Sequence, residues 1–361
     1  MSSTSSHSYP MSSGEDQHSY IHNSSYQKAA IKGVEERIKQ AILEKLDLQL
    51  NSNLISTFTI ADFGCSIGPN TFHVVQSIID TVKFKHLKEN NETNIVPLEF
   101  QVFFNDQSNN DFNTLFRTQP LSSESQYFLA GVPGSFYGRL LPRNIIHIGH
   151  TSYTIHWLSE VPEHVCDRKS PAWNKNYIHC NNLIEEVTKA YKVQFKKDME
   201  VFLQARAEEL VHGGLMIVVG NCLPDGVSMY ETWQGHVMET IGDCLLDMAK
   251  SGIMSEEKIE LFNFPVYFPQ FSELKLMIEE NGSFMIEMME TISHPFEDKR
   301  LSNEFITSMF RAFLTTVIEQ HFGNGVVDEL FSRLSEKLSK HPIDFEMWKT
   351  QVVYHVVLKR K

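Results

Sequence analysis

The sequence predicts an α/β fold built on a doubly wound, largely parallel sheet, and three observations carry that prediction. Up to Val219, short β-branched and aromatic runs alternate with longer helical stretches, the pattern of parallel strands joined by helical crossovers. The first such run, Thr57 to Ile60, leads into Ala61-Asp62-Phe63-Gly64-Cys65-Ser66-Ile67-Gly68-Pro69-Asn70, an acid-bearing glycine turn that opens a helix. The last run, Gln351 to Lys359, closes the chain with no helix after it, so with Phe284 to Ile292 it forms a terminal pair of antiparallel type.

The elements follow in order. Val34 to Leu50 reads as an amphipathic helix and Pro69 to Phe84 as the helix after the first strand. Residues 85 to 94 read as a solvated polar loop before a second strand, Leu98 to Phe104, which ends at Asn105-Asp106. Further strands are expected at Tyr127 to Ala130, around Ile145 to Ile148, and at Gly214 to Val219 after a long helix from Leu183 to Val211. Tyr230 to Ser283 and Leu301 to Leu338 read as mostly helical, with breaks at Phe262-Asn263-Phe264-Pro265 and Phe268-Pro269. They exceed what a minimal sheet needs and are expected to form a helical cap over the carboxyl edge, where an α/β site lies. The expected organisation is an N-terminal segment closing over the site (1–25), a core (26–225), a cap with one core strand at about 284–292 (226–345), and a terminal core strand (346–361).

Composition excludes several classes. The chain has 361 residues, 42% hydrophobic and 21% charged, enough for a large core in a soluble globular protein. A net charge of -13, with no basic cluster larger than Lys359-Arg360-Lys361, argues against nucleic acid and anionic membrane as partners. Leu215 to Val219 is far too short to span a bilayer. Five cysteines, odd in number and without a C-x-x-C pair, suit a reducing compartment. His164 with Cys166, and His179 with Cys180, lack zinc spacing. The first 25 residues carry ten serines, no arginine and no apolar core of signal-peptide length, so a cytoplasmic location is expected by default.

The glycine turn carries the chemistry. Gly64 and Gly68 let backbone approach a ligand, Pro69 is preset for the first helical position, and free amides at the helix start meet a carboxylate or phosphate. Asp62 would repel a pyrophosphate, whereas the methionine end of S-adenosylmethionine offers it an ammonium and offers the helix a carboxylate. A methyl donor therefore fits better than NAD. Asp106, at the end of the second strand, stands where ribose hydroxyls are gripped on such a sheet. Two other readings share these residues. Gly64-Cys65-Ser66-Ile67-Gly68 spells the G-x-S-x-G elbow of serine hydrolases, with Ser66 as nucleophile. A tight turn with Asp62 and Asp106 as helix caps is the plain structural one.

Longer stretches carry a family resemblance over essentially the whole chain. They are Ser19-Tyr20 with Asn23-Ser24 and Gln27, Ala61 to Asn70, Phe104-Asn105-Asp106 with Asn109 to Asn113, and Gly131 to Leu140. Leu141-Pro142-Arg143-Asn144, Thr151-Ser152-Tyr153, Trp157-Leu158-Ser159 and Phe262-Asn263 continue the series. With these the sequence resembles the plant SABATH methyltransferases, named for the enzymes of salicylate, benzoate and theobromine methylation. The resemblance implies a Rossmann-like class I methyltransferase sheet with helices on both faces and a largely helical cap. It implies methyl transfer from S-adenosylmethionine to a small-molecule carboxylate, or in some members to the ring nitrogen of a xanthine-like heterocycle, and a homodimer.

Carried over by position, the implied cofactor contacts are Tyr20, Ser24, Asp62, Gly64, Cys65, Asn70, Asn105, Asp106, Gln107, Ser135 and Phe136, with Tyr137, Ser152 and Tyr153 close by. Aromatic faces suit a sulfonium, a cation without hydrogen-bond donors. Gln27 and Trp157 match the residues that donate to the substrate carboxylate. Tyr20, Asn23, Ser24, Tyr153, Thr154 and His156 match the pocket around it, with Met238, Met309, Phe310 and Val352 expected in the cap wall. A carboxylic acid of pKa about 4 is already ionised at neutral pH, so in-line attack on the methyl needs orientation rather than a general base.

Asn174, Glu260, Phe262 (through its carbonyl) and Asn263 match a structural magnesium site, with Glu260 standing where the family usually has Asp. Three further departures concern substrate or loop. His156 replaces the Met of salicylate-type and the Gln of xanthine-type members, Ile67 replaces a frequent Ser, and Met11-Ser12-Ser13 replaces a stretch that often carries lysine and glycines. Methionine-rich walls favour a hydrophobic acid as acceptor.

Overall fold

In a computed structural model, the residues described are 8–48, 57–89, 97–119, 127–175, 177–296, 299, 301–350 and 352–361. Strand β1 (Thr57–Phe63) is buried along all but its first residue, as a strand covered on both faces must be. Before it stand α1 (Tyr20–Asn23) and α2 (Ser25–Lys45). After it come α3 (Pro69–Glu89), β2 (Glu99–Asp106), α4 (Phe112–Arg117), β3 (Phe128–Pro133), β4 (Ile146–Ser152), α5 (Glu185–Glu209) and β5 (Leu210–Cys222). The rest of the chain supplies α6 (Trp233–Lys250), α7 (Glu256–Glu260), α8 (Phe271–Asn281), β6 (Phe284–Ser293), α9 (Asn303–Phe322), α10 (Val327–Lys340), α11 (Phe345–Trp348) and β7 (Val352–Arg360).

The seven strands run β3-β2-β1-β4-β5-β7-β6. The first five are parallel, and β7 lies antiparallel between β5 and β6. The expected antiparallel terminal pair is therefore present, and β7 also zips onto β5 along Leu215 to Cys222. One face carries α2, α3, α6, α9 and α10 over a core that includes Ile38, Val75, Phe100, Leu245 and Leu330. The other carries α5 and α8 over Phe63, Phe195, Phe202 and Leu274. No helix among the described residues is long and apolar enough to cross a membrane.

Several boundaries differ from the sequence reading. Helix α2 starts at Ser25 rather than Val34, because Tyr26, Ala30 and Ile31 extend its buried stripe back by two turns. It ends at Lys45, and the expected extension to Leu50 runs partly outside the described residues. Helix α3 continues through Lys85 to Glu89, part of the expected polar loop, with Lys85 buried and paired with Glu89 at 3.0 Å. The remainder of that loop is outside the described residues. Strand β5 begins at Leu210, so α5 runs straight into it.

Residues 8–18 lie against the cap: Ser12 N donates to Ala312 O at 2.9 Å and Gln320 Nε2 to Ser8 O at 2.8 Å. Met11 and Tyr20 of this N-terminal part, with Met238 of α6 and Met309 and Phe310 of α9, line a cavity that Asn221 reaches from the end of β5.

Candidate active site

The turn after β1 is drawn tight against β2, where Gly64 N and Cys65 N both donate to Asn105 O at 2.9 Å. Gly64 holds φ 81°, and a Cβ there would stand 2.0 Å from Thr154 Cγ2. Glycine is thus demanded by both backbone and space. Gly68 has no such demand within the protein, since a Cβ there meets nothing nearer than 3.7 Å. Ser66, at φ 54°, turns its N–H onto Asp106 Oδ2 at 2.7 Å, while Gln107 N donates to Oδ1 at 2.7 Å. Burial pushes the Asp106 carboxyl up to about 6 against those two donors, and the Asp62 charge adds to the rise.

Asp62 is 3% exposed, accepts from Thr71 Oγ1 and meets His150 Nδ1 at 2.6 Å. Asn70 Nδ2 donates to Ser24 O at 3.2 Å and Ser24 Oγ at 3.1 Å, which ties α3 to the junction of α1 and α2. A cavity forms between these elements, lined by Tyr20, Gln27, Asp62, Gly64, Cys65, Ser66, Asn70, His150 and Ser152. Gln27 Oε1, Ser66 Oγ, His150 Nε2 and Ser152 Oγ are buried there without partners. Buried polar atoms rarely stay unpaired, so this cavity suits a polar ligand with several donors and acceptors, as the tail of S-adenosylmethionine is.

Beside it, Asn105 Nδ2 donates to Val132 O at 2.8 Å and Gly134 O at 2.9 Å, so its side chain ties β2 to β3 and does not line the cavity. Gln107 Oε1 accepts from Tyr9 N at 2.5 Å. Ser135 Oγ is exposed and accepts from Tyr137 N at 3.3 Å. Phe136 is buried in the second core. The 135–141 segment is held from beneath by Arg206 and Glu209, both fully buried. Arg206 donates to Phe136 O, Gly138 O and Glu209 at 2.8 to 2.9 Å, and its guanidinium lies 4.1 Å from the centre of the Phe63 ring. Glu209 accepts in turn from Leu140 N and Leu141 N.

A second cavity lies under the cap. Gln27, Tyr153, His156 and Trp157 line it together with Met229, Trp233, Met238, Val266, Phe268, Met309, Phe310 and Phe313. Tyr20 and Gln27 line both cavities, so these two residues mark their junction. Tyr137 Oη donates to Trp157 O at 2.5 Å and to Ile155 O at 3.2 Å, fixing the strip that carries His156 and Trp157. His156 stacks on Phe268 with centroids 5.0 Å apart, and burial lowers its pKa to about 3, so the ring is neutral. Tyr153 adopts φ 59°, and its Oη, with Asn221 Oδ1 and Gln234 Nε2, is buried without a partner. No lining residue of this cavity carries a formal charge.

Some expected residues lie elsewhere. Asn23 lines neither cavity, because its Nδ2 donates to Gln17 O and Ser19 O at 2.9 and 2.8 Å and holds the N-terminal segment. Thr154 packs on Gly64 and hydrogen-bonds Thr151 Oγ1. Val352 packs in the second core rather than in the cap wall. Ser66 Oγ has no partner, so no base activates it as a hydrolase nucleophile.

Among the four magnesium candidates the polar side chains are engaged by protein partners except for Asn174 Oδ1, which is buried without one. Asn263 Oδ1 accepts from Asn174 Nδ2 at 2.6 Å and from Tyr191 Oη at 3.2 Å. Glu260, the sole carboxylate of the set, is paired with Arg168. Among the described residues no cluster of three or more His, Cys, Asp or Glu could hold a metal. Here the group is a hydrogen-bonded brace between the 174 loop and the segment after α7.

The sequence reading missed His150, Thr71, Arg206, Glu209, Asn221 and Gln234. His150 had one available signal, its place immediately before Thr151-Ser152 at the end of a predicted strand, where it pairs in register with Asp62.

Comparison with known proteins gives the family and the fold. A family model described as SAM dependent carboxyl methyltransferase matches residues 6–361. A probable S-adenosylmethionine-dependent methyltransferase of Arabidopsis thaliana is 77% identical over 359 residues, covering 99% of this chain and 100% of that one. The farnesoic acid carboxyl-O-methyltransferase of the same plant is 44% identical over 353 residues, covering 98% and 99%. A solved loganic acid methyltransferase with S-adenosylhomocysteine superimposes with a TM-score of 0.91 at 41% identity, covering 98% of this chain and 99% of that one. The α/β core, the glycine turn and full-length similarity agree: this chain belongs to the S-adenosylmethionine-dependent carboxyl methyltransferases, the SABATH family.

Proposed function

We propose that this enzyme transfers the methyl group of S-adenosylmethionine to a carboxylate oxygen of a small hydrophobic acid, giving the methyl ester and S-adenosylhomocysteine. The observation that carries the reading is the junction at Tyr20 and Gln27, where a polar cavity over the glycine turn meets an uncharged, methionine- and aromatic-lined cavity. Relatives named for farnesoic and loganic acids support an acid acceptor.

The chain's own residues then act by orientation. The donor supplies an electrophilic methyl on sulfur; the carboxylate oxygen forms the new O–C bond as the C–S pair returns to sulfur, and no proton moves. The Gln27 amide and the Trp157 indole are neutral donors, which fix a carboxylate without the strong ground-state stabilisation of an Arg or Lys pair. Alignment of this kind lowers a barrier by up to about 7 to 11 kcal/mol in the ideal case. The apolar wall displaces water around the nucleophile and selects against short polar acids.

A ring N–H acceptor would instead need a base. His156 is the basic side chain in the second cavity, and a pKa of about 3 suits it poorly to that task. Family resemblance supports a homodimer, and five free cysteines, four of them buried, support a cytoplasmic setting. Incubating the enzyme with S-adenosylmethionine, a panel of terpenoid, aromatic and fatty acids, and xanthines, with products read by mass spectrometry, tests the reading. Methyl esters of hydrophobic acids are expected. Methylated xanthines beside silent acids would overturn it.

A further inference from the structure

We propose that His150 is a positioning residue for the methyl donor, holding the α-ammonium of its amino-acid tail jointly with Asp62. Three observations place it there. Its Cα pairs in register with that of Asp62 across β1 and β4, so the two side chains stand abreast on one face of the sheet, beneath the glycine turn. Its Nδ1 lies 2.6 Å from Asp62 Oδ1, while Thr71 Oγ1 donates to Asp62 Oδ2. Its remaining polar atom, Nε2, is buried without a partner in a side chain 2% exposed that lines the donor cavity.

The proton count follows from that geometry. A carboxylate only accepts, so the proton of the Nδ1 contact belongs to the imidazole; the form the proposal requires carries no proton on Nε2 and offers its lone pair there. An alkylammonium carries three N–H donors and no acceptor. Asp62 has two oxygens already engaged, each with one lone pair still available; the unpaired, buried Nε2 adds a further acceptor for a three-donor group. Asp62 and Thr71 in turn fix the tautomer and the ring plane, as a carboxylate orients a histidine in other buried pairs. The alternative in which Asp62 alone meets the ammonium leaves the buried His150 Nε2 without a partner.

Calorimetry without any acceptor tests the proposal, so its failure is separable from failure of the acceptor assignment. S-adenosylhomocysteine is compared with its deaminated analogue, in which hydrogen replaces the α-amino group, on the wild type, His150→Asn and His150→Gln. Asparagine reaches Asp62 but not the Nε2 position; glutamine reaches the Nε2 position. The expected result is that His150→Asn narrows the preference for the amine-bearing ligand roughly tenfold, the size of one hydrogen bond to a charged group, with affinity for the analogue unchanged. His150→Gln restores part of the preference. Equal weakening of both ligands would make His150 merely structural and overturn the proposal, as would an unchanged preference in His150→Asn.

Discussion

Gly64 and Thr154 are packed so closely that a single methyl on the glycine would stand 2.0 Å from Thr154 Cγ2. The donor turn and the strip bearing His156 and Trp157 are therefore in direct van der Waals register, and the spacing of the two cavities is set by that contact. Gly64→Ala is expected to destabilise the fold by about 1 to 3 kcal/mol through overpacking and a positive φ. Thr154→Ser in the same chain removes the methyl at 2.0 Å but leaves the residue 154 Cβ at 2.9 Å, so it recovers only part of the steric cost and none of the backbone cost. Urea unfolding of the two variants reads this directly.

Tyr137→Phe removes the donor to Trp157 O and Ile155 O. The fold should lose about 1 kcal/mol, whereas the acceptor site loses its alignment. Steady-state kinetics should show kcat falling and acceptor KM rising, with affinity for S-adenosylhomocysteine little changed.

The pH dependence rests on Asp106. Its folded pKa of about 6 lies above the ordinary carboxylate value of 3.8, so the cost of its buried charge to the empty protein is full above pH 6. That cost is relieved as pH falls through 6 towards 3.8. On the sequence expectation that Asp106 grips the donor's ribose hydroxyls, donor binding runs the other way, because those hydroxyls need the ionised acceptor; Asp106 itself lines neither cavity, both its oxygens accepting from Ser66 N and Gln107 N. Affinity for S-adenosylhomocysteine should drop up to tenfold per pH unit below about 6, and Asp106→Asn should flatten that limb. His156, with a pKa of about 3, should add no inflection near 6.5.

Arg206 and Glu209 form a buried pair that pins the 135–141 segment by its backbone. Arg206→Met leaves Glu209 as an unpaired buried charge and is expected to cost about 3 to 5 kcal/mol. Glu209→Gln, which keeps an acceptor for Leu140 N and Leu141 N, should cost less. Chemical denaturation compares the two.

What the sequence revealed and what it hid have a common physical basis. The β1 turn, the start of α3 and the end of β2 were legible because their determinants are local: glycine at a positive φ, proline at a helix start, an acid at a strand end. The insertion of β7 between β5 and β6 was not, since strand neighbours far apart in sequence leave no local trace. Helix α2 starts early because Tyr26, Ala30 and Ile31 continue its buried stripe, with Tyr26 stacked on His294 at 3.7 Å between centroids, a tertiary partner that the local sequence does not name. His150 and Arg206 were missed for the same reason: their partners Asp62 and Phe136 lie 88 and 70 residues away. The pairing of Arg168 with Glu260 was hidden in the same way, the two lying 92 residues apart.

The central claim is that Gln27 and Trp157 present an acid's carboxylate to a methyl held over the glycine turn. A single-turnover reaction with S-adenosylmethionine labelled with carbon-13 in the methyl, and one equivalent of the best hydrophobic acid, tests it most directly when followed by NMR. The account predicts one labelled ester methyl, lost or strongly slowed in Gln27→Leu and Trp157→Phe. Label on nitrogen or carbon of an acceptor, or ester formed at an undiminished rate in both variants, would contradict it.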